Sequence, residues 1–191
     1  MPPVPRRFLI LAAPALAACG RTAERAPARV APPSPPIRLT VGSLDVQDQV
    51  QTLPLNFIDR RRSEEMVATT RSHLTQRIQA VGGADFGKAV IEEASLIEEV
   101  HPRGGVRGAI AGPERELVGV LAVRVAVTDG FGIESAYARA RVELRRAVAE
   151  TSSVMDRDRM AREMTADLLE SLDRSLQSGI KENLAPYLVT S

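Results

Sequence analysis

Tryptophan is absent, and phenylalanine and tyrosine together make up only 3% of the chain. Platforms on which bases or sugar rings could stack are therefore scarce, and a core must be built from Leu, Val, Ile, Ala and Met. There is a single cysteine, Cys19, so no intramolecular disulfide can form. An exported protein of this composition has to rely on its hydrophobic core alone. Only two histidines occur, His73 and His101. With so few His and Cys, neither a zinc site nor a cysteine nucleophile can be assembled from the usual ligand spacings. No P-loop spacing is present, and the one GxxG pattern, Gly105 to Gly108, joins two expected strands rather than the two helices of an RNA clamp. No catalytic residue, metal or cofactor is expected.

Charge of one sign is also lacking. The formal balance of the 191 residues is +1. Arg6 and Arg7 contribute two of the positive charges, so residues 19–191 carry −1, and setting aside Arg21, Glu24, Arg25 and Arg29 leaves −3 for residues 37–191. A nucleic-acid-binding domain would be strongly basic, so no nucleic-acid partner is expected.

The apolar run from Phe8 to Ala18 is too short to span a bilayer core, which takes about 20 residues, and it contains Pro14. Preceded by Arg6-Arg7 and followed by small residues, it has the parts of a cleavable secretory signal. Leu16-Ala17-Ala18-Cys19 resembles the bacterial lipobox. The resemblance implies that residues 1–18 are removed and that Cys19 becomes lipid-modified, anchoring the chain to a membrane. Two or three acyl chains hold firmly at about 0.8 kcal/mol per buried CH₂, whereas one chain is marginal. Gly20 follows the cysteine where Asp favours inner-membrane retention in familiar sorting, which points to the outer membrane, with the domain in the periplasm. Both general and twin-arginine export fit the leader. From Arg21 to Pro36 five prolines lie among Ala, Arg and Ser without apolar period, so residues 19–36 read as a lipidated cysteine and a tether.

Residues 37–191 read as one α+β domain. Ile37 to Val46 alternates as a strand whose phase shifts at Gly42, as at a bulge. Ser63 is expected to cap a helix with Val67, Thr70, Leu74, Ile78 and Val81 on one face, ended by Gly82-Gly83 and preceded by the basic run Arg60-Arg61-Arg62. Lys88 to Val100 reads as a strand of uncertain phase, and a Gly-rich connection follows. Leu117 to Thr128 is the strongest strand. Asp129-Gly130-Phe131-Gly132 is hairpin turn chemistry, and the returning strand places Ala136, Ala138, Ala140, Val142 and Leu144 on one face. A long helix capped near Ser152 or Ser153 carries Ala161, Met164, Leu168, Leu172, Leu176 and Ile180 as far as Pro186. The order β-α-β-β-β-α predicts a two-layer sandwich, two helices on an antiparallel four-stranded sheet.

The paired acids Glu92-Glu93 and Glu98-Glu99 are expected to point to opposite faces and to serve as solvated strand edges. His73 reads as a satisfied helical histidine. On the face of the last two strands opposite the apolar set, Arg124, Arg139, Arg141 and Arg145 form a stripe. Such a stripe can receive the phosphates of an anionic lipid or glycolipid, it can face a protein partner, or it can be a solvated face neutralised by neighbouring acids. With lipobox, tether and element order together, the layout resembles the family of the lipopolysaccharide-assembly lipoprotein LptE, and secondly the auxiliary lipoproteins of ABC-type lipid transporters. The resemblance implies a non-enzymatic accessory or assembly factor in lipid or lipopolysaccharide transport or outer-membrane maintenance, binding an envelope partner or anionic lipid. A structural scaffold that binds a protein partner with no lipid ligand is the alternative.

Overall fold

The computed structural model describes residues 35–51, 55–102 and 114–189. The expected signal, Cys19, most of the tether and most of the Gly-rich connection lie outside the described residues. Contacts divide the chain into Met1–Pro33 and Ser34–Ser191, and every described residue belongs to the second unit.

That unit is the expected α+β sandwich. Strands β1 (Ile37–Leu39) and β2 (Ser43–Asp48) are followed by helix α1 (Phe57–Arg77), then β3 (Ile78–Ala80), β4 (Phe86–His101), β5 (Glu114–Thr128), β6 (Glu134–Val148), helix α2 (Val154–Asn183) and a 3-10 turn at Ala185–Tyr187. The main sheet has the order β2-β4-β5-β6, and β1 and β3 form a separate pair. Helix α1 lies on β4 and β2, and α2 on β6 and β5. Among the described residues no helix is long and apolar enough to cross a membrane.

The sheet is mixed, not purely antiparallel. β2 runs parallel to β4 and β1 parallel to β3, because α1 lies between them in sequence and carries the chain back to the end from which it started. The phase shift at Gly42 is real and separates β1 from β2. Opposite it, Gly83 adopts φ +149, and a Cβ there would stand 2.4 Å from the Thr40 carbonyl oxygen, so the two strands approach closely only without a side chain at this point.

Helix α1 begins earlier than the sequence predicts. Asn56 is the cap, its side chain accepting from the Asp59 amide, and Arg60-Arg61-Arg62 lies inside the helix. Ser63 is buried and accepts from the Leu96 amide at 3.0 Å, while the Asp59 carboxylate accepts from the Glu98 amide at 3.3 Å. These side chains satisfy the edge of β4 beyond the point where β2 stops. The helix also ends at Arg77 rather than at Gly82-Gly83, and Ile78 begins β3. Its buried stripe, Asp59, Arg62, Ser63, Met66, Thr70, Leu74 and Arg77, keeps helical spacing but is more polar than apolar.

Helix α2 follows its expected course. Ser153 and Asp156 form a reciprocal capping box, and the first-turn Asp156 carboxyl is held below its ordinary range chiefly by the Ser153 hydroxyl. Ala161, Met164, Leu168, Leu172, Leu176 and Ile180 are buried. Gly119 on β5 admits this helix closely, since a Cβ there would meet Leu168 at 2.7 Å.

Two arginine–aspartate pairs, one part-buried and one buried, tie the helices together. Arg62 donates to Asp158, and Arg77 donates to both oxygens of Asp173 at 2.6 and 3.0 Å. Each pair spans 96 positions, so α1 and α2 run in the same direction and in constant register. The two ties are about 22 Å apart at 1.5 Å per helical residue.

Candidate functional site

Strand β4 contains a bulge between Ile91 and Glu93. Ala89 and Ile91 face the helices before it, Ala94 and Leu96 after it. This is why the strand has no single phase in the sequence. It also corrects the expectation that Glu92 and Glu93 oppose each other, since the extra residue brings both carboxylates onto the arginine face.

All four arginines of the expected stripe lie on that face, and each meets a glutamate. Arg124 pairs with Glu134 at 2.5 Å, Arg139 with Glu92 at 2.6 Å and Arg141 with Glu93 at 3.1 Å. Arg145 reaches Glu143 at 3.0 Å and Glu99 and Glu116 at 3.5 Å. Glu93, by hydrogen bond and charge, raises the pKa of Arg141, and the Glu143 hydrogen bond raises that of Arg145. The bonds from Arg139, Arg141 and Arg145 to acids of β4 cross the intervening strand. Two strand spacings are about 10 Å, and the stems of Arg141 and Arg145 can lie over β5 because its residues there are Val118, Val120 and Ala122, all buried, while Arg124 stands beside Arg139. The stripe is thus a charge-compensated lattice, and a phosphate would have to displace a carboxylate from it.

Glu98 does not behave as a solvated edge. It points to the helix side, accepts from Arg115 at 3.0 Å and Arg157 at 3.3 Å, and lies 3.8 Å from Arg62. Asp158, facing Arg62 and Arg61, has its carboxyl pKa lowered, first by the Arg62 hydrogen bond. His73 Nε2 lies 3.5 Å from Asp173 Oδ1. Glu99, His101 and Glu116 bring three ligating atoms within 4.8 Å of one another, a grouping that sequence spacing does not reveal because it forms across β4 and β5. The Arg145 guanidinium already supplies a cation to both glutamates.

A concavity formed by the described residues lies beside the bulge. β2 ends at Asp48, where the Gln49 amide still donates to Ile91 at 2.9 Å, and α1 takes over the edge of β4 only at Leu96. Between them a groove of about 680 Å³ opens against α1. Val50, Leu55, Val67, Ala68 and Ala94 provide its apolar lining. Arg60, Arg71 and Arg139 stand around it. Arg71 is paired with Asp48 and Arg139 with Glu92, whereas Arg60 donates to the Leu55 carbonyl at 3.3 Å and has no carboxylate partner among the described residues. Sequence reasoning found Arg139 but missed the groove. Its one local signal was Asn56 with Asp59 three residues on, which places the helix start beside it.

Neither family models nor curated proteins match the chain. Among solved structures, a minor lipoprotein of Acinetobacter baumannii is similar with a TM-score of 0.40 at 12% identity, over 74% of this chain and 94% of that one. A Caulobacter crescentus protein named as a lipoprotein gives 0.33 at 13%, over 69% and 84%. A Helicobacter pylori protein named as a homologue of neuraminyllactose-binding hemagglutinin gives 0.29 at 10%, over 75% and 96%. At these scores the likenesses assign neither a function nor a site.

Proposed function

We infer that the protein is a lipid-anchored, non-enzymatic accessory protein of the bacterial envelope, held by acyl chains on Cys19. It binds a molecule with an apolar body and an anionic head, the chemistry of a phospholipid or lipopolysaccharide. The observation that carries the ligand reading is the groove beside α1. Its volume of about 680 Å³ falls within the range of small-molecule sites. Apolar side chains line it, Arg60, which has no carboxylate partner among the described residues, stands beside it, and Arg139, paired with Glu92, reaches it. A protein scaffold is the second reading, favoured by the edge of β4 at residues 92–95, which β2 does not pair and to which an extended peptide could add.

The anchor is tested by metabolic labelling with a fatty acid. Cys19→Ser is expected to abolish incorporation completely and to leave the precursor uncleaved, because the sulfur is the acceptor. Label retained in the serine variant would disprove the assignment.

The ligand is tested with a photoreactive amino acid at Ala68 in the groove and, as a control, at the exposed Ser178 of α2. Irradiation in the native envelope is expected to give adducts carrying the mass of a phosphate-bearing lipid at position 68 and none at 178. Adducts at 68 made only with protein would sink the lipid reading in favour of the scaffold.

A further inference from the structure

The β5–β6 hairpin ends in two large apolar side chains left mostly exposed: Phe131 is 92% exposed and Ile133 66%. The tip is nonetheless a closed structure. The Asp129 carboxylate accepts from the amides of Phe131 and Ile133, both at 2.9 Å, the Gly132 amide donates to the Asp129 carbonyl at 3.0 Å, and the Asp129 amide to Ile133 at 2.9 Å. Gly132 supplies the positive φ of +82 that the turn requires. The amides of Phe131, Gly132 and Ile133 are all satisfied internally. Those three amides, beside the two apolar side chains, need no water, and each would cost several kcal/mol if left open away from it.

Behind the tip the side chains change in order. Tyr137 lies four residues from Ile133 on β6, about 13 Å at strand spacing, and the Arg124 guanidinium sits 4.4 Å from its ring centre. In the same row, Lys88 and Tyr137 both pair in register with Ala126, and Lys88 has no ion-pair partner among the described residues. Phe86, half exposed, flanks the base of the turn opposite Thr128. In a chain with so few aromatics, three are gathered at this one end. Apolar side chains foremost, then an amphipathic ring and the cation Lys88, with Arg124 held by Glu134, is the layering of a surface seated in a bilayer interface.

The chain supplies the reason for choosing a bilayer over a protein. β1 precedes β2 along one direction, so the domain is entered at Ile37 at the end where β4 begins and the hairpin turns. The residues between Cys19 and Ile37 span at most about 60 Å fully extended. We propose that the hairpin tip, Phe131 and Ile133 with Tyr137 and Lys88 behind, seats in the phosphate-bearing bilayer surface to which Cys19 is anchored, and fixes the domain's orientation there. This rests on the lipid-anchor reading above.

With Cys19 acylated, an added cysteine is the protein's one free thiol. A polarity-sensitive fluorophore is placed at Gly130→Cys, where a new side chain meets nothing within 4 Å, or at Met155→Cys, 80% exposed on the first turn of α2 at the other end. The full-length lipoprotein is reconstituted in vesicles containing phosphatidylglycerol. The probe at 130 is expected to shift to the blue and to be quenched by brominated acyl chains, and the probe at 155 to be unaffected. Adding Phe131→Asp and Ile133→Asp is expected to weaken the quenching about tenfold or more. A water-like probe at 130, or equal quenching at 130 and 155, would overturn the proposal. Mass measurement of Cys19 in the same preparation reports on the anchor separately: an unmodified cysteine defeats the lipoprotein reading, while a quenched probe at 130 in that preparation still supports the seated tip.

Discussion

Leu172→Asp is expected to leave no folded domain at ambient temperature, whereas Ser171→Asp one position away lowers the melting temperature by only a few degrees. Leu172 is fully buried in the cluster between α2 and the sheet, and Ser171 is part-exposed. Losing a buried leucine costs about 2–5 kcal/mol. An uncompensated carboxylate in its place adds several kcal/mol more. Together these match a typical domain stability of about 5–15 kcal/mol. Circular dichroism on heating checks the pair, and equal losses would mean that the helix presents a different face to the sheet.

The second large effect concerns the tie between the helices. Asp173→Leu leaves the Arg77 guanidinium, only 5% exposed, without its bidentate partner, and Arg77→Met leaves Asp173 with His73 as its one basic neighbour among the described residues. Each single variant is expected to lose about 3–5 kcal/mol. The double variant should recover most of it, because two apolar side chains of similar volume need no solvation. Urea titration of the four proteins decides it. Strictly additive losses would show that Arg77 and Asp173 do not act as a pair.

The arginine stripe shows how far alternation carries and where it stops. Period-two patterning along β6 correctly sets Arg139, Arg141 and Arg145 opposite Ala138, Ala140 and Val142, because strand side chains alternate whatever the neighbours are. It says nothing of what those arginines meet. Their partners are Glu92, Glu93 and Glu99, more than 40 positions away, brought there by β4 lying two strands over. The bulge in β4 falls between Ile91 and Glu93 and leaves no composition signal, so the face of Glu92 and Glu93 could not be read locally. The groove depends on that same bulge and on where β2 stops. Both are facts of pairing.

Helix α1 shows the complementary failure. Apolar periodicity finds a helix when its inward face is apolar, as in α2, where six residues from Ala161 to Ile180 sufficed. In α1 the first turns bury Asp59, Arg62 and Ser63, residue types that read as surface, cap or loop. They are inside because β4 outruns its partner β2, and its Leu96 and Glu98 amides need acceptors that the helix supplies.

The sequence by itself therefore determined the two-layer α+β class, the β5–β6 hairpin with its Asp129-to-Gly132 turn, and α2 with its cap at Ser153. Each is written in residues that are neighbours along the chain, where dihedral preference, capping and apolar period act directly. Tertiary structure alone decided that the sheet is mixed, that α1 starts at Phe57 with a polar inward stripe, that the arginines are neutralised by glutamates of a distant strand, and that a groove opens beside the bulge. Those features arise when unpaired amides, carboxylates and guanidiniums from remote segments must satisfy one another once water is excluded, and no local pattern encodes which remote partner each will find.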